Sequence, residues 1–111
     1  MSYSPRPEDQ RFILNAVLDA PSRLRALAPF ADVDDALQQQ VLGEAARFVG
    51  EVVTPLNREG DEVGCRFANG AVTTPPGFRE AYRAFVDGGW PALAAAPEDG
   101  GQGLPTVLEA I

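Results

Sequence analysis

The chain has no histidine and no lysine, and Cys65 is its single cysteine. All nine basic residues are arginine, which removes a P-loop lysine, a Schiff-base lysine and a lysine general base. A Ser-His or Cys-His nucleophile and an ordinary zinc site fall with the missing histidine, so no metal centre is expected. One thiol cannot form an internal disulfide. No apolar run reaches the ~18–20 residues of a membrane-spanning helix, and the polar start Ser2-Tyr3-Ser4-Pro5-Arg6-Pro7-Glu8-Asp9 is unlike a signal peptide. The expectation is a cytoplasmic protein without a membrane span. Sixteen acidic residues against nine basic ones leave a net charge of −7, which repels a phosphate backbone and excludes nucleic acid as an expected partner. Carboxylates, arginine, tyrosine, hydroxyls and backbone amides are the only groups left for chemistry.

What is present is a chain of 111 residues, 45% hydrophobic, with 11 glycines and 10 prolines. That length suits one small domain or part of something larger, able to build a core but broken often. Glu8 and Asp9 precede Phe12, Ile13, Leu14, Ala16, Val17 and Leu18. So many apolar positions predict a short helix buried on more than one side and stopped by Pro21. A second short turn spans Ser22 to Leu27. The clearest helix runs from Asp34 to Thr54, where Leu37, Val41, Ala45, Phe48, Val52 and Leu56 recur by three or four. Asp34 and Asp35 stand at its positive end, and Pro55 should end the regular hydrogen bonding or kink it.

The polar run from Asn57 to Gly64 reads as a loop or frayed turn. Asn69-Gly70 between short apolar runs predicts a hairpin with at most two very short strands over 65–73. Thr74 then reads as a cap with proline in the first turn, followed by a buried stripe of Phe78, Tyr82, Phe85 and Val86 and a stop at Gly88-Gly89. Trp90 is expected to anchor that helix. After the polar loop Glu98 to Gly103, the residues Leu104, Val107, Leu108 and Ile111 open one more apolar helical face.

Candidate sites each have a plainer explanation. Gly101-Gln102-Gly103 suggests a phosphate loop, yet it lacks the third glycine of the pattern, lacks a preceding strand and follows two acids; a tight turn fits better. The adjacent acids Glu8/Asp9, Asp34/Asp35, Asp61/Glu62 and Glu98/Asp99 sit at helix starts or in loops, where capping and solvation account for them. Cys65 is expected to be inert and partly buried. Arg79 and Arg83 suit solvated ion pairing, and the aromatic set Phe78, Tyr82, Phe85 and Trp90 is expected in the core.

Pro55-Leu56-Asn57-Arg58, Gly60-Asp61, Gly64-Cys65, Asn69-Gly70, Thr73-Thr74-Pro75-Pro76-Gly77-Phe78, Ala81-Tyr82, Gly88-Gly89-Trp90 and Gly100-Gly101-Gln102-Gly103-Leu104-Pro105 follow one another in an order and spacing that resembles the N-terminal helical domain of the acyl-CoA dehydrogenases. The stretch from Tyr3 through Leu27 resembles the extra N-terminal segment of a larger-subunit branch of that family. The resemblance covers essentially the whole chain. It implies an all-α fold with at most one short β-hairpin near 65–73, divided into an extension over 1–31 and an N-terminal α-domain over 32–111, truncated at its C-terminal end.

The resemblance also implies a parent flavoenzyme that uses FAD to oxidise the Cα–Cβ bond of an acyl-CoA, as in fatty acid β-oxidation. There a carboxylate takes the α-proton, the β-hydride passes to the flavin, and electrons leave to an electron-transfer flavoprotein. Homo-oligomers are expected. The catalytic carboxylate and the flavin contacts belong to later domains, so no catalytic and no cofactor-binding residue is expected in this chain, and the segment alone should not bind FAD. Gly100, Gly101, Gly103 and Leu104 are placed at a turn near the acyl-pocket wall. Many members carry histidine after Gly-Leu-Pro, where this chain has Thr106. The alternative is a stand-alone, non-catalytic helical interaction module, with Leu104, Val107, Leu108 and Ile111 as an exposed contact stripe.

Overall fold

The computed structural model describes residues 2–111 and is mainly helical, with one two-stranded antiparallel sheet. The first helix, α1 (Pro7–Phe12), continues into a wide π turn over Ile13–Val17. Asp19, in the left-handed conformation at φ 48°, ends it. Pro21 is therefore not the stop; it lies in the first turn of α2 (Ala20–Arg25), where its missing N–H costs nothing. After a 3-10 turn at Ala28–Phe30 comes α3 (Asp35–Phe48). Asp34 caps it by accepting the Leu37 N–H at 2.8 Å, the bond that a cap aspartate offers to an otherwise unpaired amide.

Regular α hydrogen bonding does end ahead of Pro55, but the helical path continues. A second π turn, Val49–Val53, breaks the regular ladder just before it, and α4 (Thr54–Val63) continues with Pro55 in its first turn. The run 57–63 is thus helix rather than loop, held in part by Arg58 on Glu62 at 2.8 Å. Strands β1 (Arg66–Ala68) and β2 (Ala71–Thr73) pair with Phe67 opposite Val72. Asn69 at φ 52° and Gly70 at φ 75° supply the two positive dihedrals that a tight hairpin turn requires. Helix α5 (Phe78–Asp87) begins after Gly77 at φ 82°, so Thr74 is not its cap. Gly89, at φ 76°, closes it. Short 3-10 turns at Trp90–Ala92 and Pro97–Asp99 lead to α6 (Thr106–Ala110).

One core joins α1 with its π turn, α2, α3, the segment after α5, and α6. Leu14, Ala20, Leu24, Val33, Leu42, Leu93 and Leu108 are buried together, with Phe30, Leu37, Val41, Trp90, Leu104, Val107 and Ile111 packed around them. The deepest line of α3 is Gln38–Leu42 rather than the neighbouring stripe through Leu37 and Val41. Trp90 does anchor the end of α5, with its ring 6.2 Å from Phe48. Gln10 Nε2 donates to the Ile111 carbonyl at 2.8 Å, tying the first helix to the last residue. Asn15 Nδ2 reaches Asp35 at 2.7 Å and fixes the π turn of the first helix to α3.

Three burial expectations fail. The first helix buries Leu14 alone, while Phe12, Ile13, Val17 and Leu18 remain exposed, because only one side of it has a neighbour. The α5 stripe is open to solvent, with Phe78, Tyr82, Phe85 and Val86 all exposed. The Leu104/Val107/Leu108/Ile111 face is the reverse, packed into the core instead of forming an exposed contact stripe. Arms without a second layer leave much surface uncovered. The accessible surface is 7838 Å², against about 5,900 Å² for an ordinary folded monomer of 11.8 kDa. The radius of gyration is 17.1 Å and the thinnest dimension 17 Å, where ~13 Å would be the radius for this length.

Two measurements follow from the core. Gln38 is 1% exposed and both its amide atoms lack a partner, a cost of ~1–3 kcal/mol per orphaned group. Gln38→Leu should therefore raise stability by about 1–2 kcal/mol in denaturant melts; a loss would show that the amide has a hidden partner. Asn15 first, then Gln39, then the charge of Arg11 hold the Asp35 carboxyl below its ordinary value. That stabilisation is fully present above the usual aspartate range and is lost as pH falls through the lowered value. Asn15→Ala should flatten the acid limb of melting temperature against pH, and an unchanged limb would assign it to other carboxylates.

Candidate functional site

The turn from Ala96 to Leu104 is built by its own backbone. The Gly101 N–H donates to Ala96 O at 3.0 Å, Gln102 to Ala92 O at 3.0 Å, Gly103 to Ala95 O at 2.9 Å and Leu104 to Leu93 O at 3.1 Å. Four successive amides are thus spent inward, so the turn cannot cradle a phosphate, for which free N–H groups are needed. Glu98 and Asp99 stand in the 3-10 turn before it.

The glycines serve the turn individually. Gly100 sits at φ 84° and Gly103 at φ 64°, both in the region that favours glycine. Gly101 is packed so closely that a Cβ would fall on the backbone carbonyl of Ala95. Leu104, half-buried, leaves the turn toward the core, and Thr106 is the exposed first residue of α6.

Leu104 and Gln102 form one wall of a groove of about 520 Å³. Leu37, Val41 and Phe48 of α3, Val52 of the π turn after it, Trp90 and Leu93 also line it. The structure therefore brings Leu104 to the groove, whereas Gly100, Gly101 and Gly103 do not line it. By sequence the α3 line reads as core, since its spacing by four and seven does not distinguish a core face from a groove face. Gln102 carries no local sign of this placement at all. Its Nε2 lies 3.4 Å from the Gly89 carbonyl, so it bridges the wall to the stop of α5.

The rim is an ion-paired triad on α3 and the turn after it. Arg47 meets Glu44 at 2.6 Å and Glu51 at 3.8 Å. The hydrogen bond from Arg47 to Glu44, then the charges of Glu44 and Glu51, push the guanidinium's pKa up, so Arg47 is a permanent cation already neutralised by its neighbours. No hydroxyl or thiol lines the groove, its two carboxylates are those tied to Arg47, and among the described residues no group of His, Cys, Asp or Glu could hold a metal ion. The groove thus combines an apolar lining with an ion-paired rim and presents no free base to move a proton.

The other candidates are scattered. Arg6 pairs with Glu8 and Asp9, Asp34 caps α3, and Glu62 pairs with Arg58, so those acid pairs serve local structure. Cys65 is exposed rather than partly buried, because it precedes a hairpin that packs on nothing. Arg79 and Arg83 form no ion pair among the described residues. The aromatic residues divide: Trp90 joins the core and the groove, while Phe78, Tyr82 and Phe85 line a separate apolar groove of about 420 Å³ against Phe48, Val53 and Leu56.

Gly101→Ala should cost more than Gly100→Ala, which meets only an unfavourable dihedral of about 1–2 kcal/mol. For Gly101→Ala the backbone of Ala95 must move, a loss of at least ~2–3 kcal/mol in chemical denaturation. Equal effects would mean that the turn does not depend on that close approach.

No family model matches the chain. It is 36% identical over 110 residues to 3-methylmercaptopropionyl-CoA dehydrogenase of Ruegeria pomeroyi, an alignment that takes in 99% of this chain and 18% of that protein. The chain thus spans less than a fifth of the length of that curated relative, and the aligned stretch takes in every helix described above.

Proposed function

We propose that this chain is the N-terminal α-helical part of an FAD-dependent acyl-CoA dehydrogenase, with residues 1–31 as an N-terminal extension and 32–111 belonging to the α-domain. The observation that carries the reading is the 36% identity over 110 residues to a coenzyme-A thioester dehydrogenase. Its parent would dehydrogenate acyl-CoA at the α,β bond, pass electrons to an electron-transfer flavoprotein and act as a cytoplasmic homo-oligomer. The catalytic base and the flavin contacts would come from residues beyond this chain.

The role of the chain is then to wall and to pack. Leu104 and Gln102, held by the turn at Gly100, Gly101 and Gly103, would form part of the acyl side of the pocket through the groove above α3. A polypeptide running on past Ile111 would leave beside α1, because Gln10 binds the Ile111 carbonyl. The exposed residues Phe12, Ile13, Val17 and Leu18 lie on that helical segment, and we assign them to packing against the β-domain of the parent. Such a stripe is the surface that a following domain would cover.

The test is the complete gene product. Purified intact, it should carry visible flavin absorbance and reduce an artificial electron acceptor in the presence of acyl-CoA. The 111-residue chain by itself should do neither after desalting. An intact product without flavin, or a 111-residue chain that keeps flavin and turns over acyl-CoA, would overturn the assignment.

A further inference from the structure

Two grooves meet at one side chain. The groove walled by Leu104 and the aromatic groove of the arm formed by α4, the hairpin and α5 draw on the same elements. Val52 of the π turn and Ala84 of α5 line the first, and their neighbours in sequence, Val53 and Phe85, line the second. Among the described residues Phe48 alone belongs to both linings. Its ring lies 6.2 Å from Trp90 on one side and 6.3 Å from Phe85 on the other, within the ~4.5–7 Å of aromatic rings in direct contact. The ring is thus a partition held from both sides.

We propose that Phe48 is a specificity-determining residue that sets the length of hydrocarbon tail accepted by the Leu104 groove. The inference rests on the reading of that groove as part of the acyl side of the pocket. The two compartments differ in chemistry. The first carries the Arg47, Glu44 and Glu51 rim, whereas the second has a single amide, Asn57, and no charged group. About 520 Å³ lies on the near side of Phe48 and a further 420 Å³ beyond it. Each methylene buried on the near side strengthens binding about fourfold, the factor that corresponds to ~0.8 kcal/mol. The gain stops when the tail reaches the ring, and a smaller side chain at position 48 joins the compartments and lets it continue.

Straight-chain primary alcohols of increasing length are the probe. Trp90 is the only tryptophan of the 111-residue chain and lines the first groove, so its fluorescence reports their binding. The dissociation constant should fall about fourfold per methylene and then level off. In Phe48→Ala the fall should continue for at least two more methylenes, a gain of at least about tenfold for the longest alcohols. Phe48→Leu keeps an aliphatic side chain there and should extend the series less, which covers a Phe48→Ala chain that does not fold. Ala81→Phe narrows only the far groove, so it should leave the original limit in place and should restore that limit when added to Phe48→Ala.

In the complete gene product, KM for saturated acyl-CoA thioesters should level off with tail length and shift in the same way in the Phe48 variants. Alcohols that do not bind, a series that never levels off, or one limit shared by the unaltered chain, Phe48→Leu and Phe48→Ala would overturn the proposal. A limit that moves with Phe48 in a protein whose complete gene product does not oxidise acyl-CoA would uphold the partition and reject the enzymatic reading alone.

Discussion

Everything in this chain hangs on one small apolar junction, where Leu14, Leu24, Leu42, Leu93 and Leu108 meet with Ala20 and Val33. Distant stretches of sequence contribute to it. Burying an aliphatic side chain yields ~1.5–3 kcal/mol, so a junction this small has little margin once the entropy of ordering the connecting segments is subtracted. That explains why the connections are so tightly specified. Asp34 caps α3, Gln10 clasps Ile111, Asn15 holds Asp35, and the glycine turn spends consecutive amides on its own carbonyls.

The same constraint sets the shape. With one junction, elements that do not reach it have nothing to pack against, and the α4–α5 arm is that remainder. Phe48 couples the two regions: its ring lies 6.2 Å from Trp90 on the groove side and 6.3 Å from Phe85 on the arm side. The groove over Trp90 and the groove on the arm therefore share a wall. A ligand or partner in one is one aromatic ring away from the other, although their linings differ in kind, with an ion-paired rim around the first and an uncharged border around the second.

Local features are legible wherever a residue acts on its own backbone. The aspartate cap, the Asn69-Gly70 turn and the Gly88-Gly89 stop can all be read from sequence, because each depends on a dihedral preference or a hydrogen bond within four residues. Pro55 misleads. Proline breaks a regular ladder, but the π turn at Val49–Val53 has already opened it, and nothing in single-residue propensity announces a π turn. The polar run after Pro55 then looks like loop, though Arg58 and Glu62 stand at the i,i+4 spacing that supports helix.

The sequence by itself determined the helical class, the hairpin, the turn glycines and the poverty of catalytic groups, since those follow from residue types and near neighbours. Only the tertiary structure decided which apolar stripes are buried. Val107 and Leu108 on the last helix find the core, whereas Tyr82 and Phe85 on α5 do not. Both stripes have helical periodicity, and periodicity says that a face is apolar without saying what will cover it. Covering depends on where distant segments lie in space, and so does the groove that places Gln102 and Leu104 opposite α3. That is a property of the whole chain and of whatever packs against it.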